Sequence, residues 1–279
     1  AGVGMKNEDV LKRLKGKVGS EVNITVLSPN NKVAKHKLLR GSIPLKSISA
    51  STIIKDNIGY IKLSSFSNSS DLEFKNAIIK LKNQGMEKLI FDLRFNGGGY
   101  LHQAINISDE FLKEDQLIVY TEGAHSKKRS FYSRPKGLFE DGELIILVNS
   151  STASASEIVS GAIQDNKRGK ILGRRTFGKG LVQQPLMLPD SSELRITTSR
   201  YYTPSGKCIQ KPYGENIDYE NDIFERIESG ELTQSDSVFD KSIFKGGILP
   251  DVYFPIDTLV YSKAINNIIY TRKWRDFCF

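Results

Sequence analysis

The chain has 279 residues, a formal net charge of +8, 39% apolar and 26% charged residues, which is the make-up of an ordinary globular protein with room for one large domain and a small one. No run reaches the ~18 apolar residues of a membrane-spanning helix, and no signal-like segment opens the chain, whose start at Ala1-Gly-Val-Gly-Met5 reads as the middle of something longer. The basic charge is diffuse: His125-Ser-Lys-Lys-Arg129, Lys167-Arg-Gly-Lys170 and Arg174-Arg175 come without a nucleic-acid-binding module and read as solvated loops, which argues against a nucleic-acid partner.

Residues 1–43 read as a short helix, Asn7 to Leu14, then strands Val22 to Leu27 and Lys35 to Leu39 around a Ser28-Pro-Asn-Asn31 turn. That is too little material to bury a core alone. A larger unit, 44–257, follows. Ile58 to Leu63 alternates as a strand, and Asp71 to Gln84 carries Leu72, Phe74, Ala77, Ile78 and Leu81 at helical spacing, capped by Ser70 or Asp71 and ended by Gly85. Lys88 to Leu93 is a short buried strand running into Asn96-Gly-Gly-Gly99. Leu101 to Leu112 reads as a helix, Leu117 to Thr121 and Glu143 to Asn149 as strands, Glu157 to Asp165 as a helix, and Leu194 to Tyr202 as a late strand. Strands alternating with helices imply a mixed α/β sheet with helical crossovers. Residues 213–245 are polar and acidic and read as an inserted loop, and 258–279 form a tail with an amphipathic helical stretch from Thr258 to Tyr270. Cys208 and Cys278 are too few for a disulfide framework, and their pairing stays open.

The chemistry concentrates in Ser151 to Asp165 and Thr176 to Gln183. Ser154 sits in a small-residue turn after the apolar run Leu144 to Val148 and before a helix start, where unpaired amides such as that of Ala155 and the positive end of the helix dipole can stabilise an oxyanion. The same position also suits a plain helix N-cap, as does Thr152. A serine hydroxyl needs a base beside it, and a lysine serves only when burial favours its neutral amine. Lys179, between Gly178 and Gly180 in an apolar strand, offers that setting, with Leu181 and Gln183 on the same face of an extended chain. Gln183 can then accept a hydrogen bond from the amine. Gly98 or Gly99 can supply a second oxyanion donor, whereas the glycine spacing fits neither nucleotide-binding fingerprint. Asp165, about three helical turns beyond Ser154, is ~16 Å from it and cannot touch it; a loop- or lysine-orienting role or a salt bridge remains. A Ser-His-Asp triad would have to use His102, since His36 and His125 lie elsewhere. No His, Cys or carboxylate spacing suggests a metal.

Three motifs in order, Asp92-Leu-Arg-Phe-Asn-Gly-Gly-Gly99, Ser151 to Asp165 and Gly173 to Gln183, make nearly the whole chain resemble the C-terminal processing peptidases, or tail-specific proteases, which are Ser-Lys serine endopeptidases. The resemblance implies Ser154 as nucleophile, Lys179 as general base and Gln183 as the group that positions the lysine. It implies an oxyanion hole from the amide of Ala155 with Gly98 or Gly99, and supporting roles for Glu157, Asp165 and Thr176. It also implies a crotonase-like α/β core with helical crossovers and an attached PDZ domain, of which the β-rich residues 1–43 would be the C-terminal half. The loop that holds a terminal carboxylate lies in the other half of such domains. The family works without a cofactor, outside the cytoplasm (periplasm or cell envelope), on protein or peptide substrates with accessible C-terminal tails. A membrane would be met only through segments beyond this chain, and a homo-oligomer is compatible with it. Two other readings keep the fold: a non-catalytic peptide- or lipophilic-ligand-binding module, which the intact Ser154, Lys179 and Gln183 oppose, and an acyl-CoA enzyme, for which no adenine-nucleotide site is visible.

Overall fold

A computed structural model describes residues 5–28, 30–42, 46–214, 222–232 and 246–255, in two compact units, Ala1–Leu45 and Lys46–Phe279. The tail helix expected from Thr258 lies outside the described residues. The first unit holds α1 (Asn7–Leu14) and an antiparallel hairpin of β1 (Glu21–Leu27) and β2 (Val33–Leu39). Arg40 ties it together, donating to the carbonyls of Leu14 at 2.7 Å and Glu21 at 2.8 Å.

The second unit adopts the expected mixed α/β fold. Its main sheet has the order β12-β9-β8-β5-β4-β3, built from β3 (Ile48–Lys55), β4 (Ile58–Leu63), β5 (Lys88–Asp92), β8 (Leu144–Val148), β9 (Lys170–Gly173) and β12 (Val252–Tyr253). All neighbours in it are parallel except β3, which pairs antiparallel with β4. A second, antiparallel sheet has the order β10-β11-β6-β7, from β6 (Leu117–Gly123), β7 (Ser126–Tyr132), β10 (Leu181–Met187) and β11 (Glu193–Tyr202). Helices α2 (Ser70–Asn83), α3 (Leu101–Asp109) and α4 (Ala155–Asp165) are the crossovers, and α4 packs on both β6 and β9, joining the two sheets.

Several boundaries differ from expectation for local reasons. Helix α2 starts at Ser70, with Ser69 in the N-cap position but making no side-chain capping bond, and Leu72 is 61% exposed because it falls off the face shared by the buried Phe74, Ala77, Ile78 and Leu81. Helix α3 stops at Asp109, where Glu110 and Phe111 tighten into i→i−3 bonds on Ile107 and Ser108. The basic stretch after His125 forms β7 rather than a loop, and within 213–245 a short helix, α5 (Asp222–Glu228), stands where only loop was expected.

The core centres on Phe74, Phe91 and Phe111, all essentially inaccessible, with ring centroids 5.0–5.8 Å apart. Such tilted contacts add to the area term. Phe74→Ala should cost about 3–5 kcal/mol of unfolding free energy, measurable by urea denaturation; a loss under ~1 kcal/mol would mean the helix is anchored elsewhere.

Candidate active site

Three chain segments leave the carboxyl ends of three adjacent parallel strands: residues 93–100 after β5, 149–154 after β8 and 174–180 after β9. In open α/β sheets that edge is where crevices for ligands form. A cavity of about 670 Å³ there is lined by Gly97, Gly98, Gly99, Tyr100, Ser154, Lys179, Leu181, Gln183, Pro185, Glu193, Arg195 and Tyr201. Ser154, Lys179, Gln183 and the glycine loop therefore meet at one place. The alternation of β10 places Leu181, Gln183 and Pro185 on the cavity side, which Lys179, just before the strand, also lines, and the bulge in the β10–β11 pairing falls at Thr198, opposite the step from Val182 to Gln183.

Ser154 has φ +57° and ψ −115°, a conformation that costs a non-glycine residue of order 1–3 kcal/mol and persists only where its surroundings impose it. The surroundings are buried hydrogen bonds. Thr152 Oγ1 donates to the Leu93 carbonyl and accepts from the Asn149 amide, both at 2.9 Å. The Asn96 carbonyl accepts from the Ala153 amide and the Ser156 hydroxyl at 3.0 Å. Thr152 is thus a strap between strands and not a cap. The adjoining Asp92 is fully buried; burial alone would raise its carboxyl, but hydrogen bonds from Arg94 and Tyr60 outweigh that and hold it below the ordinary value.

The glycine loop packs directly on the serine. A Cβ at Gly98, where φ is +97°, would come within 2.7 Å of Ser154 Cβ and 2.9 Å of the Ala155 nitrogen. One at Gly99 would fall 2.1 Å from the Phe66 carbonyl oxygen. The Gly98 amide is already donated to Asn96 Oδ1 at 2.9 Å. Among the described residues, no acceptor takes the amides of Gly99 or Ala155. Asn96, buried and with its amide group on the Leu63 carbonyl, organises this loop. Composition and spacing alone assign it no role, though an amide side chain directly before three glycines is the available signal.

Glu157 joins the serine turn to the lysine turn. Its fully buried carboxylate accepts from the amides of Ser154 (2.7 Å), Gly178 (2.7 Å) and Lys179 (2.8 Å) and from the Thr176 hydroxyl. Burial pushes this carboxyl above its ordinary value, while the Thr176 hydroxyl and the three amides pull it back. Thr176 also accepts from the Ile248 amide at 2.7 Å.

The structure corrects the setting expected of Lys179. Lys179 precedes β10 instead of lying within it, and its side chain is exposed, not buried. No hydrogen bond joins Lys179 to Ser154 or Gln183 among the described residues, and Gln183 is exposed as well. The buried lysine nearby is Lys211, whose amine desolvation shifts downward against the pull of Asp222. Asp165 stands at the far end of α4, outside the cavity, where it accepts from the Ser205 amide at 2.9 Å. His102 is exposed beside Tyr100 and does not line the cavity. Tyr201 does, but burial pushes its phenol up to about 12, so it is no rival base near neutral pH. Cys208 is a free thiol away from the site. Among the described residues no group of three or more His, Cys, Asp or Glu side chains is disposed to hold a metal.

The fold and the cavity define a mixed α/β protein with a crevice at the carboxyl edge of its parallel strands, where a strained serine lies against a glycine loop. Residues 57–220 match the profile of Peptidase family S41, and the chain belongs to that family. It is 38% identical over 207 residues to a carboxyl-terminal-processing protease of a Picosynechococcus species, covering 73% of this chain and 50% of that protein. It is 35% identical over 208 residues to a probable CtpA-like serine protease of Staphylococcus haemolyticus, covering 74% of this chain and 41% of the other. The chain spans about half the length of the curated relatives it matches. The solved structure of a photosystem II D1 C-terminal processing protease superposes with a TM-score of 0.58 at 27% identity, over 90% of this chain and 60% of that one.

Proposed function

We propose that the chain carries the catalytic unit of a serine endopeptidase that cuts protein or peptide chains near accessible C-terminal tails, through a Ser154–Lys179 dyad and an acyl-enzyme. The observation that carries this reading is the strained Ser154 at the start of α4, sharing one cavity with Lys179 and the glycine loop. In the cycle the neutral Lys179 amine takes the proton as Ser154 Oγ attacks the scissile carbonyl. The amides of Ala155 and Gly99 receive the developing oxyanion, the Gly98 amide being held by Asn96. Lysine then protonates the leaving amine, and water releases the acyl group. Lys179 is exposed and makes no hydrogen bond to Ser154 among the described residues, which suits a resting arrangement, since catalytic contacts of this kind tighten with substrate. A peptide filling the cavity excludes water, and desolvation favours an uncharged amine. Gln183, on the same wall, would then orient it.

Residues 1–43 are read as the second half of a PDZ-like domain, for which the helix and hairpin of the first unit are suitable material. Tail recognition would then need the other half, and an extracytoplasmic setting follows the same reading. The test of the nucleophile is labelling with a fluorophosphonate, followed by peptide mass mapping. The expected adduct lies on Ser154 and suppresses cleavage of a disordered protein. Adducts elsewhere, or unimpaired cleavage with Ser154 modified, would replace the peptidase reading with another.

A further inference from the structure

The acidic stretch after residue 213, unremarkable as sequence, delivers two charged residues into the interior next to the lysine turn. Arg226 and Glu231 are each 3% exposed, and Arg175 is 5% exposed. The Glu231 carboxylate takes both guanidinium groups: Arg175 Nε at 2.8 Å and Nη2 at 2.9 Å, and Arg226 Nη2 at 2.7 Å and Nε at 3.0 Å. Arg226 then reaches beyond it, donating to the carbonyl of Arg175 at 2.6 Å and to that of Thr176 at 3.4 Å. Asp222, one turn earlier on α5, is 3.3 Å from Lys211 Nζ. Lys211 in turn lies 4.1 Å over the Phe177 ring and donates its own amide to the Gly178 carbonyl at 2.8 Å. Every residue from Arg175 to Gly178 is held from this side, while Glu157 holds the amides of Gly178 and Lys179 from the other.

Stability alone does not account for such a cluster. Burying several charges is expensive, and apolar residues of similar volume often do as well or better. What an apolar side chain cannot do is donate to two successive carbonyls with a planar fork. We propose that Arg226 is a positioning residue for the reaction: supplied by segment 222–232, it fixes the backbone of Arg175–Gly178 and so sets the direction from which Lys179 reaches Ser154. This inference rests on the dyad reading above. It explains how an exposed lysine, on a turn with glycines on both sides, keeps a defined approach.

The experiment compares the whole chain with its Arg226→Met and Arg226→Lys variants in two readouts. Amide hydrogen exchange does not depend on the peptidase reading. In Arg226→Met the amides of Gly178 and Lys179 should exchange at least ~10-fold faster, with Phe91 and Ile146 in the core strands unchanged. In steady-state cleavage kcat should fall about 10–100-fold, with KM within about twofold, and Arg226→Lys should recover part of kcat by restoring one donor. Unchanged exchange at Gly178 and Lys179 would overturn the inference whatever the activity. So would kcat and KM falling in step with global stability in both variants, since that pattern marks a purely structural residue. If exchange rises while the native chain neither labels at Ser154 nor cleaves, the dyad reading fails and the positioning role fails with it.

Discussion

Lys179→Arg should abolish cleavage, lowering kcat by about 10⁴-fold or more, while leaving the fold intact. The two halves of this expectation have separate causes. A guanidinium stays protonated at any working pH and cannot take the serine proton, so an arginine keeps the charge and removes the base. The side chain is exposed on a turn whose backbone is held through the Gly178 and Lys179 amides, and these bonds do not depend on what the side chain is. Substitution there should shift stability by no more than ~0.5 kcal/mol. Initial rates on a disordered protein, paired with urea denaturation, separate the two. An arginine variant retaining more than a tenth of native kcat would remove Lys179 from the role of base, and attention would pass to the buried amine of Lys211.

Much of this site was visible in the sequence because its elements are punctuated by strong local signals. Short apolar runs such as Leu144–Val148 and Leu89-Ile-Phe91, too short for a helix, suit buried strands of a covered parallel sheet. The glycines at 97–99 and the small residues at 153–156 then mark where those strands release the chain. Adjacent parallel strands place their outgoing loops side by side, so three motifs far apart in sequence converge. Other features depend on contacts no local pattern encodes. The seven residues of β7 are mostly exposed and polar, so they show no alternation, and only pairing with β6 makes them a strand. Asn96 matters through Leu63 and Gly98, and Arg226 through carbonyls fifty residues away. The exposure of Lys179 is not legible locally, because glycines beside an apolar strand read as its continuation, whereas Gly178 and Gly180 belong to the irregular loop before β10.

Glu157 is the residue whose loss should damage both fold and chemistry. Its two oxygens serve four donors: one takes the Thr176 hydroxyl and the Gly178 amide, the other the amides of Ser154 and Lys179. Glu157→Ala leaves these buried donors unmatched, each unsatisfied group costing about 1–3 kcal/mol, so a loss of roughly 3–5 kcal/mol is expected once partial relaxation is allowed. It also releases the turns bearing Ser154 and Lys179 from each other, so activity should fall by ~100-fold or more. Glu157→Gln should be milder. Its carbonyl can replace the oxygen facing Ser154 and Lys179, and its NH₂ can face Thr176, whose hydroxyl can turn to accept, leaving the Gly178 amide and the Thr176 hydroxyl proton without their acceptor. The two variants also differ from the native chain in their response to pH. A carboxyl raised by burial binds its proton more tightly folded than unfolded, so its charged form subtracts from stability above the folded value. As pH falls through that value towards the ordinary glutamate range, the native chain should gain stability relative to Glu157→Gln, which has nothing to titrate. Urea midpoints measured from neutral to mildly acidic pH read this directly. A gap between native and glutamine chains that stays constant, or narrows on acidification, would mean that the four donors outweigh burial and that Glu157 acts as a fixed anion holding the two turns together.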